Sequence, residues 1–263
     1  MLRFWYSVYN FVALPLFWAV LQFGALLNKK IARGIRGRRG LFEQLERDVS
    51  KLIARPRIWF HSSSLGEFEQ AKPIIAALRR QSKAMTIIVS FFSPSGYEHS
   101  KTYPLADLIT YIPLDTVSNA RRFIDLIKPD AAVMVRYDVW PNHLWELRRR
   151  NVPAFIANAT LRPNSLRLLW PFTSFHHHVY QDLKAILTVS ESDAESFRRF
   201  GLTNPEIHVI GETRYDQVWQ RSIEARKKHL VPPSLLRKKR VLVVGSSLGR
   251  KRGGASAVTL NGF

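Results

Sequence analysis

Arg57-Ile58-Trp59-Phe60-His61-Ser62-Ser63-Ser64-Leu65-Gly66-Glu67 is the stretch on which the fold turns. Its opening, Arg57–His61, is apolar and aromatic enough to read as a short buried strand. A Ser/Gly turn follows. Glu67–Arg80 then carries Phe68, Ala71, Ile74, Ile75 and Leu78 at three- and four-residue spacing, the pattern of an amphipathic helix. Strand, tight turn and helix make one βα unit, and the turn presents backbone N–H groups at a helix N-terminus, where an anion is favoured.

The unit repeats outward from there. Further strands are expected at Met85–Phe91, Leu108–Ile112, Ala131–Val135, Ala154–Ala157, Ala185–Val189 and Ile207–Ile210, with helices at Thr116–Ile127 and Trp145–Arg150 among the segments between. Strict β/α alternation predicts an α/β domain with a parallel sheet covered on both faces. Ligands of such sheets bind beyond the carboxyl ends of the strands, so chemistry is sought there.

Ahead of this body lies Phe4–Leu27, 24 residues without a charge. As a helix it would extend about 36 Å, enough to cross a bilayer core. Ser7, Asn10 and Gln22, with Trp5, Tyr6 and Tyr9, equally suit a helix lying in the membrane interface. Lys29, Lys30, Arg33, Arg36, Arg38 and Arg39 follow at once, which predicts that the rest of the chain faces the cytoplasm. The formal charge is +20, half of it in the ten basic residues after Ala225, so the partner sought is anionic. A basic block beside an apolar run favours an anionic membrane over nucleic acid. With no cysteine, disulfides and thiolate metal sites are excluded.

Two strand ends carry candidate chemistry. Glu67 opens its helix where substrates sit on such sheets, yet a carboxylate in a first turn is also favourable through the helix dipole alone. Arg136-Tyr137-Asp138-Val139-Trp140-Pro141-Asn142 likewise follows a strand; Asp138 suits an N-cap, Trp140 suits packing and Pro141 a first helical position. His176-His177-His178 are adjacent, and adjacent residues on a helix diverge, so one shared metal ion is not expected. No GxGxxG motif is present, and Gly245–Lys251 lacks the spacing of a phosphate-binding loop.

Several units occur together and in order: the Ser-rich turn with Gly66-Glu67, Ser93-Pro94-Ser95-Gly96, Asp138–Asn142, Ile156–Ala159, Ser190–Asp193 and Gly211–Asp216. As a set they closely resemble the 3-deoxy-D-manno-octulosonic acid (Kdo) transferases over about residues 1–247. The resemblance implies a two-domain GT-B glycosyltransferase of facing Rossmann-like halves, the N-terminal half receiving the acceptor. It implies transfer of Kdo from CMP-Kdo to lipid IV-A with inversion and without a metal or other cofactor. The family's general base maps onto Glu67, and its acid before Leu-Trp-Pro-Asn onto Asp138, here with Val139 in place of Leu. Substrate contacts are expected from Ser63, Ser64, Gly66, Arg136, Trp140, Asn142 and Arg39. Many members place an acid where this chain has Arg136. The Lys29–Arg39 block would face acceptor phosphates and anionic inner-membrane lipids.

The expected organisation is an anchor helix at 1–28, an acceptor-binding domain at 29–224, a basic linker at 225–240 and the start of a further domain at 241–263. The family continues with a large donor domain after Val243-Val244-Gly245-Ser246. Here the chain departs at about Leu248, and Arg250–Phe263 reads as out-of-frame sequence, so a missing donor site and an inactive chain are expected. Two alternatives stay open: another membrane-associated nucleotide-sugar transferase, and a non-catalytic basic protein that binds anionic lipid.

Overall fold

Seven parallel strands form one sheet in the order β3-β2-β1-β4-β5-β6-β7. They are β1 (Arg57–Ser62), β2 (Thr86–Phe91), β3 (Leu108–Tyr111), β4 (Ala131–Val135), β5 (Ala154–Ala159), β6 (Ala185–Thr188) and β7 (Glu206–Val209), so every strand expected from the sequence is present. The computed structural model describes residues 2–52, 55–227, 241–243 and 257–259. The strands lie within a unit spanning Met1–Gln217.

The sheet is buried on both faces because consecutive side chains alternate between two cores. Trp59, Ile88, Phe123, Ile127 and Ile156 fill one; Phe60, Phe68, Ile75, Ile87 and Val89 fill the other. β1 pairs with β2 on one side and with β4 on the other. Strand order reverses at that pair, and the loops leaving β1 and β4 diverge to opposite sides of the sheet. A crevice at such a switch point is the usual ligand site of a Rossmann-like domain. The loop after β1 leads into α5 (Leu65–Gln81), and the loop after β4 leads into α8 (Pro141–Arg149).

The apolar N-terminal segment is α1 (Leu2–Val8), a π-helical turn (Tyr9–Ala13) and α2 (Leu14–Leu27). Arg3–Leu27 is the one helical run among the described residues long and apolar enough to cross a membrane. It widens to π geometry just before Pro15, which has no N–H for the Phe11 carbonyl and whose ring crowds it. The segment lies along the body. Trp5 Nε1 donates to Ser174 Oγ at 2.9 Å, the Tyr9 hydroxyl to Asp115 Oδ2 at 2.7 Å and Asn10 Nδ2 to Asn142 Oδ1 at 3.2 Å. Phe17 then packs on Phe92 and Trp140. The other side leaves Phe11, Leu16, Phe23 and Leu26 between 64 and 81% exposed.

α3 (Lys29–Arg36) follows, and here one basic residue departs from the expected solvent-facing block. Arg38 turns inward: its guanidinium donates to the carbonyls of Gly34, Phe92 and Ile112 and lies over the Phe92 and Tyr111 rings. Burial lowers its pKa to about 10. Arg36 and Arg39 remain exposed.

The unit from Val218 onward holds the end of α11 (Arg214–Lys227) and a ribbon in which β8 (Val241–Val243) pairs antiparallel with β9 (Ala257–Thr259). The expected linker from residue 228 on and the Gly245–Lys251 segment lie outside the described residues.

Tyr9 supplies one of the donors to the buried Asp115 carboxylate. Tyr9→Phe should cost about 1–3 kcal/mol in urea unfolding. It should also raise amide exchange in residues 2–27 while β1–β7 stay protected. Unchanged exchange would mean that apolar packing alone holds the helix down.

Candidate functional site

Glu67 stands at the carboxyl end of β1, held by its own helix start. Ser64 caps α5: its Oγ accepts from Glu67 N at 3.4 Å, while Glu67 Oε2 accepts from Ser63 N at 2.6 Å and Ser64 N at 3.2 Å. This is a capping box, so the same contacts that start the helix also aim the carboxylate. Only 7% of Glu67 is exposed. Burial, reinforced by the nearby Asp138 charge, pushes its pKa from 4.5 up to about 7, against the pull of the two N–H groups and of Arg136. A buried carboxylate with that pKa is matched to taking a proton near neutral pH.

Gly66 is next to it. A Cβ there would meet nothing within 4 Å, so packing does not demand glycine; its absence leaves the first turn of α5 open to a ligand. At Gly96, by contrast, a Cβ would approach Phe91 to 2.5 Å, which packing forbids.

Asp138 faces Glu67 from the loop after β4, beside a buried ladder. Trp59 Nε1 donates to Ser90 Oγ at 2.8 Å, and His61 Nδ1 lies 2.9 Å from the same oxygen. Trp140 Nε1 donates to His61 Nε2 at 2.9 Å. An indole nitrogen only donates, so His61 Nε2 accepts and its proton sits on Nδ1. Burial also lowers the His61 pKa, keeping the ring neutral. His61 is therefore a support, with its lone pair occupied. Asp138 Oδ2 lies 3.4 Å from that Nε2, and the oxygen is buried without a hydrogen-bond donor.

The site residues named from sequence thus divide. Ser63, Ser64, Gly66, Glu67, Arg136 and Asp138 gather around the switch-point crevice. Trp140 and Asn142 are interior, only 6 and 3% exposed. Trp140 spends its N–H on His61, and Asn142 binds Asn10 and Asp115. Both position their neighbours. Arg39 lies apart, in the exposed turn after α3.

Asp115, His61 and His143 carry roles that pattern reading passed over. Asp115 is fully buried beyond the end of β3; it accepts from Tyr9, from the backbone N–H groups of Asn142 and His143, and pairs with His143 Nδ1. The available signal was an acid at a strand's carboxyl end, just ahead of the Thr116 N-cap. Similarly, Asn158, in left-handed backbone at φ 53°, ties Thr213 to the top of β5, and Gln70 binds Glu212, which seats the Gly211–Asp216 segment beside α5. His176 and His177 turn their Nδ1 atoms to different carbonyls, and among the described residues no cluster of three His, Cys, Asp or Glu is placed to hold a metal.

Residues 33–217 match the family described as 3-Deoxy-D-manno-octulosonic-acid transferase (kdotransferase). Similar curated proteins include the 3-deoxy-D-manno-octulosonic acid transferase of Haemophilus influenzae, 26% identical over 82% of this chain and 50% of that protein. The enzyme of the same name from Aquifex aeolicus is 28% identical over 55% of this chain and 37% of that protein. The chain thus spans about half or less of the length of these relatives. Among solved structures, UDP-GlcNAc 2-epimerase from Neisseria meningitidis superposes with a TM-score of 0.50 at 13% identity, over 66% of this chain and 51% of that one, a likeness of fold alone.

The raised Glu67 pKa has a cost in stability. The folded state holds the proton more tightly than the unfolded chain, so this group's stabilising contribution is full below about pH 4.5 and is lost as pH rises through about 7. Glu67→Gln stays neutral and still caps the helix. It should exceed the wild type by about 1–3 kcal/mol near pH 8 and lose that advantage below about pH 4.5. Urea titrations at both ends of this range decide the matter; a gap that does not change with pH would contradict a raised pKa.

Proposed function

The chain belongs to the 3-deoxy-D-manno-octulosonic-acid transferase family, and from that premise we propose that it carries the acceptor-side machinery for transferring Kdo from CMP-Kdo to lipid IV-A. The observation that carries this reading is the Glu67 carboxylate, buried at the switch point with a pKa of about 7. In the proposed step an acceptor sugar hydroxyl lies against Glu67. As its oxygen attacks the anomeric carbon of Kdo, the proton passes to the carboxylate and CMP departs with the electron pair of the broken bond. One attack from the face opposite the leaving group inverts the centre, and no metal takes part. Asp138 fits beside it: its side chain is partly exposed, and its carboxylate accepts a hydrogen bond from a second acceptor hydroxyl and fixes the sugar's orientation. The donor binds in a second Rossmann-like domain of a GT-B pair, with residues 29–224 as the acceptor domain and 225–240 as the linker.

The N-terminal helix is assigned to the cytoplasmic face of the inner membrane, lying in the interface. Its docked stripe of Trp5, Tyr9 and Asn10 and its opposite, exposed row of Phe11, Leu16, Phe23 and Leu26 support this posture over a spanning one. The exposed cations of the Lys29–Arg39 block then meet anionic headgroups.

Two measurements test these assignments. With a family donor domain fused after Gly245, Glu67→Gln should lower Kdo transfer by about 10²–10⁴-fold, and the parent's rate should fall as pH drops through the Glu67 pKa of about 7. Near-normal turnover in Glu67→Gln would reduce that residue to a helix cap. Changing Phe11, Leu16 and Phe23 together to Ser should move the chain off anionic vesicles while its circular dichroism stays native; undiminished vesicle binding would refute the in-plane anchor.

A further inference from the structure

Beyond the carboxyl ends of β4 and β5 lies a cavity of about 780 Å³. Arg136, Arg162 and Arg167 line it, with Tyr137, Ser165 and Asp193. We propose that this cavity is an oxyanion subsite, built to take a phosphate monoester or a carboxylate carried by the sugar substrate.

The charge balance comes first. Asp193 is the one carboxylate in the lining, and both of its oxygens are engaged: Leu161 N donates to Oδ1 at 2.7 Å and the Ser190 hydroxyl to Oδ2 at 2.5 Å. Among the described residues no carboxylate pairs with Arg136, Arg162 or Arg167. Other arginines of the domain are spent on internal partners. Arg38 is saturated by carbonyls, and Arg149 and Arg150 converge on Glu146. Three guanidiniums converge on one cavity against a single carboxylate whose oxygens are already engaged, an excess of positive charge suited to an anion that arrives from outside.

Arg136 supplies the second, independent observation. Its backbone is left-handed, at φ 68°, a conformation that a long side chain seldom adopts. Its Nε is buried with no acceptor. Strain and an orphaned donor at one residue mark a position kept for binding, since neither improves the fold. Tyr137 arranges the pair of cations. The Arg136 guanidinium lies 5.7 Å from the centre of its ring and the Arg167 guanidinium 5.4 Å. One ring thus steadies two like charges that would otherwise separate. Arg167 reaches its remaining neighbours, Tyr137 O and Tyr180 Oη, only at 3.5 Å, which leaves its donors available.

The cavity's chemistry differs from the groove under α2 and α3. That groove is lined mainly by apolar residues such as Trp18, Leu21, Phe42 and Phe92, with Lys30 and the carbonyl-bound Arg38 as its cations. Arg136 lines this cavity and also acts electrostatically on Glu67, which couples the two sites. That the bound group belongs to the acceptor or the donor rests on the transferase reading; that it is an oxyanion does not.

The test is isothermal titration of the whole chain in detergent, at fixed ionic strength, with glucose 1-phosphate and with glucuronate as probes. Saturable binding of at least one is expected, weakened tenfold or more by Arg162→Gln with Arg167→Gln. The control pair Arg80→Gln with Lys83→Gln, two exposed cations beyond the far end of α5, removes the same charge elsewhere and should leave affinity within twofold. Tighter glucose 1-phosphate assigns the subsite to a phosphate, and tighter glucuronate to an acidic sugar. No saturable binding by the wild type, or equal weakening by the control pair, overturns the proposal. Arg162 is exposed, so its variant should fold, and circular dichroism verifies this for each pair. If the arginine pair abolishes probe binding yet leaves transfer intact in the fused enzyme, the bound oxyanion is not carried by the sugar substrate, and the subsite proposal falls while the transferase reading stands. Intact binding without transfer would sink the transferase reading alone.

Discussion

A carboxylate with no exposure to water must find a hydrogen bond for nearly every lone pair, or it is too costly to bury. Asp115 meets that condition with donors from two parts of the chain: the Tyr9 hydroxyl and, at the start of α8, the N–H groups of Asn142 and His143 together with the His143 ring. Much of the upper surface of the domain hangs on this one group. It fixes where α8 starts, and so where Trp140 stands. Trp140 holds His61, and His61 stands beside Asp138. The apolar N-terminal helix is fastened by the same carboxylate, so anchor and crevice share a foundation.

The two acids of the crevice are given different surroundings. Glu67 receives two backbone N–H bonds yet is buried deeply enough for desolvation to dominate, so its proton affinity lies near neutrality. Asp138 keeps an oxygen free of donors beside a neutral imidazole. Paired carboxyl groups in contrasting environments are how one site divides proton transfer from orientation. Arg136 lines the cavity of arginines and acts electrostatically on Glu67.

The sheet was legible because its signal is local. Apolar runs such as Ile58–Phe60 and Ile87–Val89 declare strands through residue type, and the 3.6-residue spacing of Phe68, Ala71 and Ile75 declares the helix between them. Glu67 could be placed for the same reason, since its cap lies three residues away. What failed to show was long-range. Tyr9 and Asn10 look like interfacial residues of any membrane helix until Asp115 and Asn142, more than a hundred positions on, are found against them. Trp140 and Asn142, named as substrate contacts, turn inward for partners that are also far away in sequence. Arg38 was indistinguishable from the exposed cations around it, because only the fold brings three carbonyls to its guanidinium.

The π turn at Tyr9–Ala13 sets the phase of everything after it. A π turn amounts to one extra residue inside an α-helix, and each residue in a helix rotates the chain by about 100°. Here that extra residue lets Tyr9 and Asn10 face the body together while Leu14 and Phe17 still meet it further along. Substitutions along the outer row leave this phasing alone. A one-residue deletion between Tyr9 and Ala13 would not: it would turn α2 as a whole against its bed, bringing outward-facing side chains onto Phe92 and carrying Phe17 away. In this segment length is more tightly specified than composition.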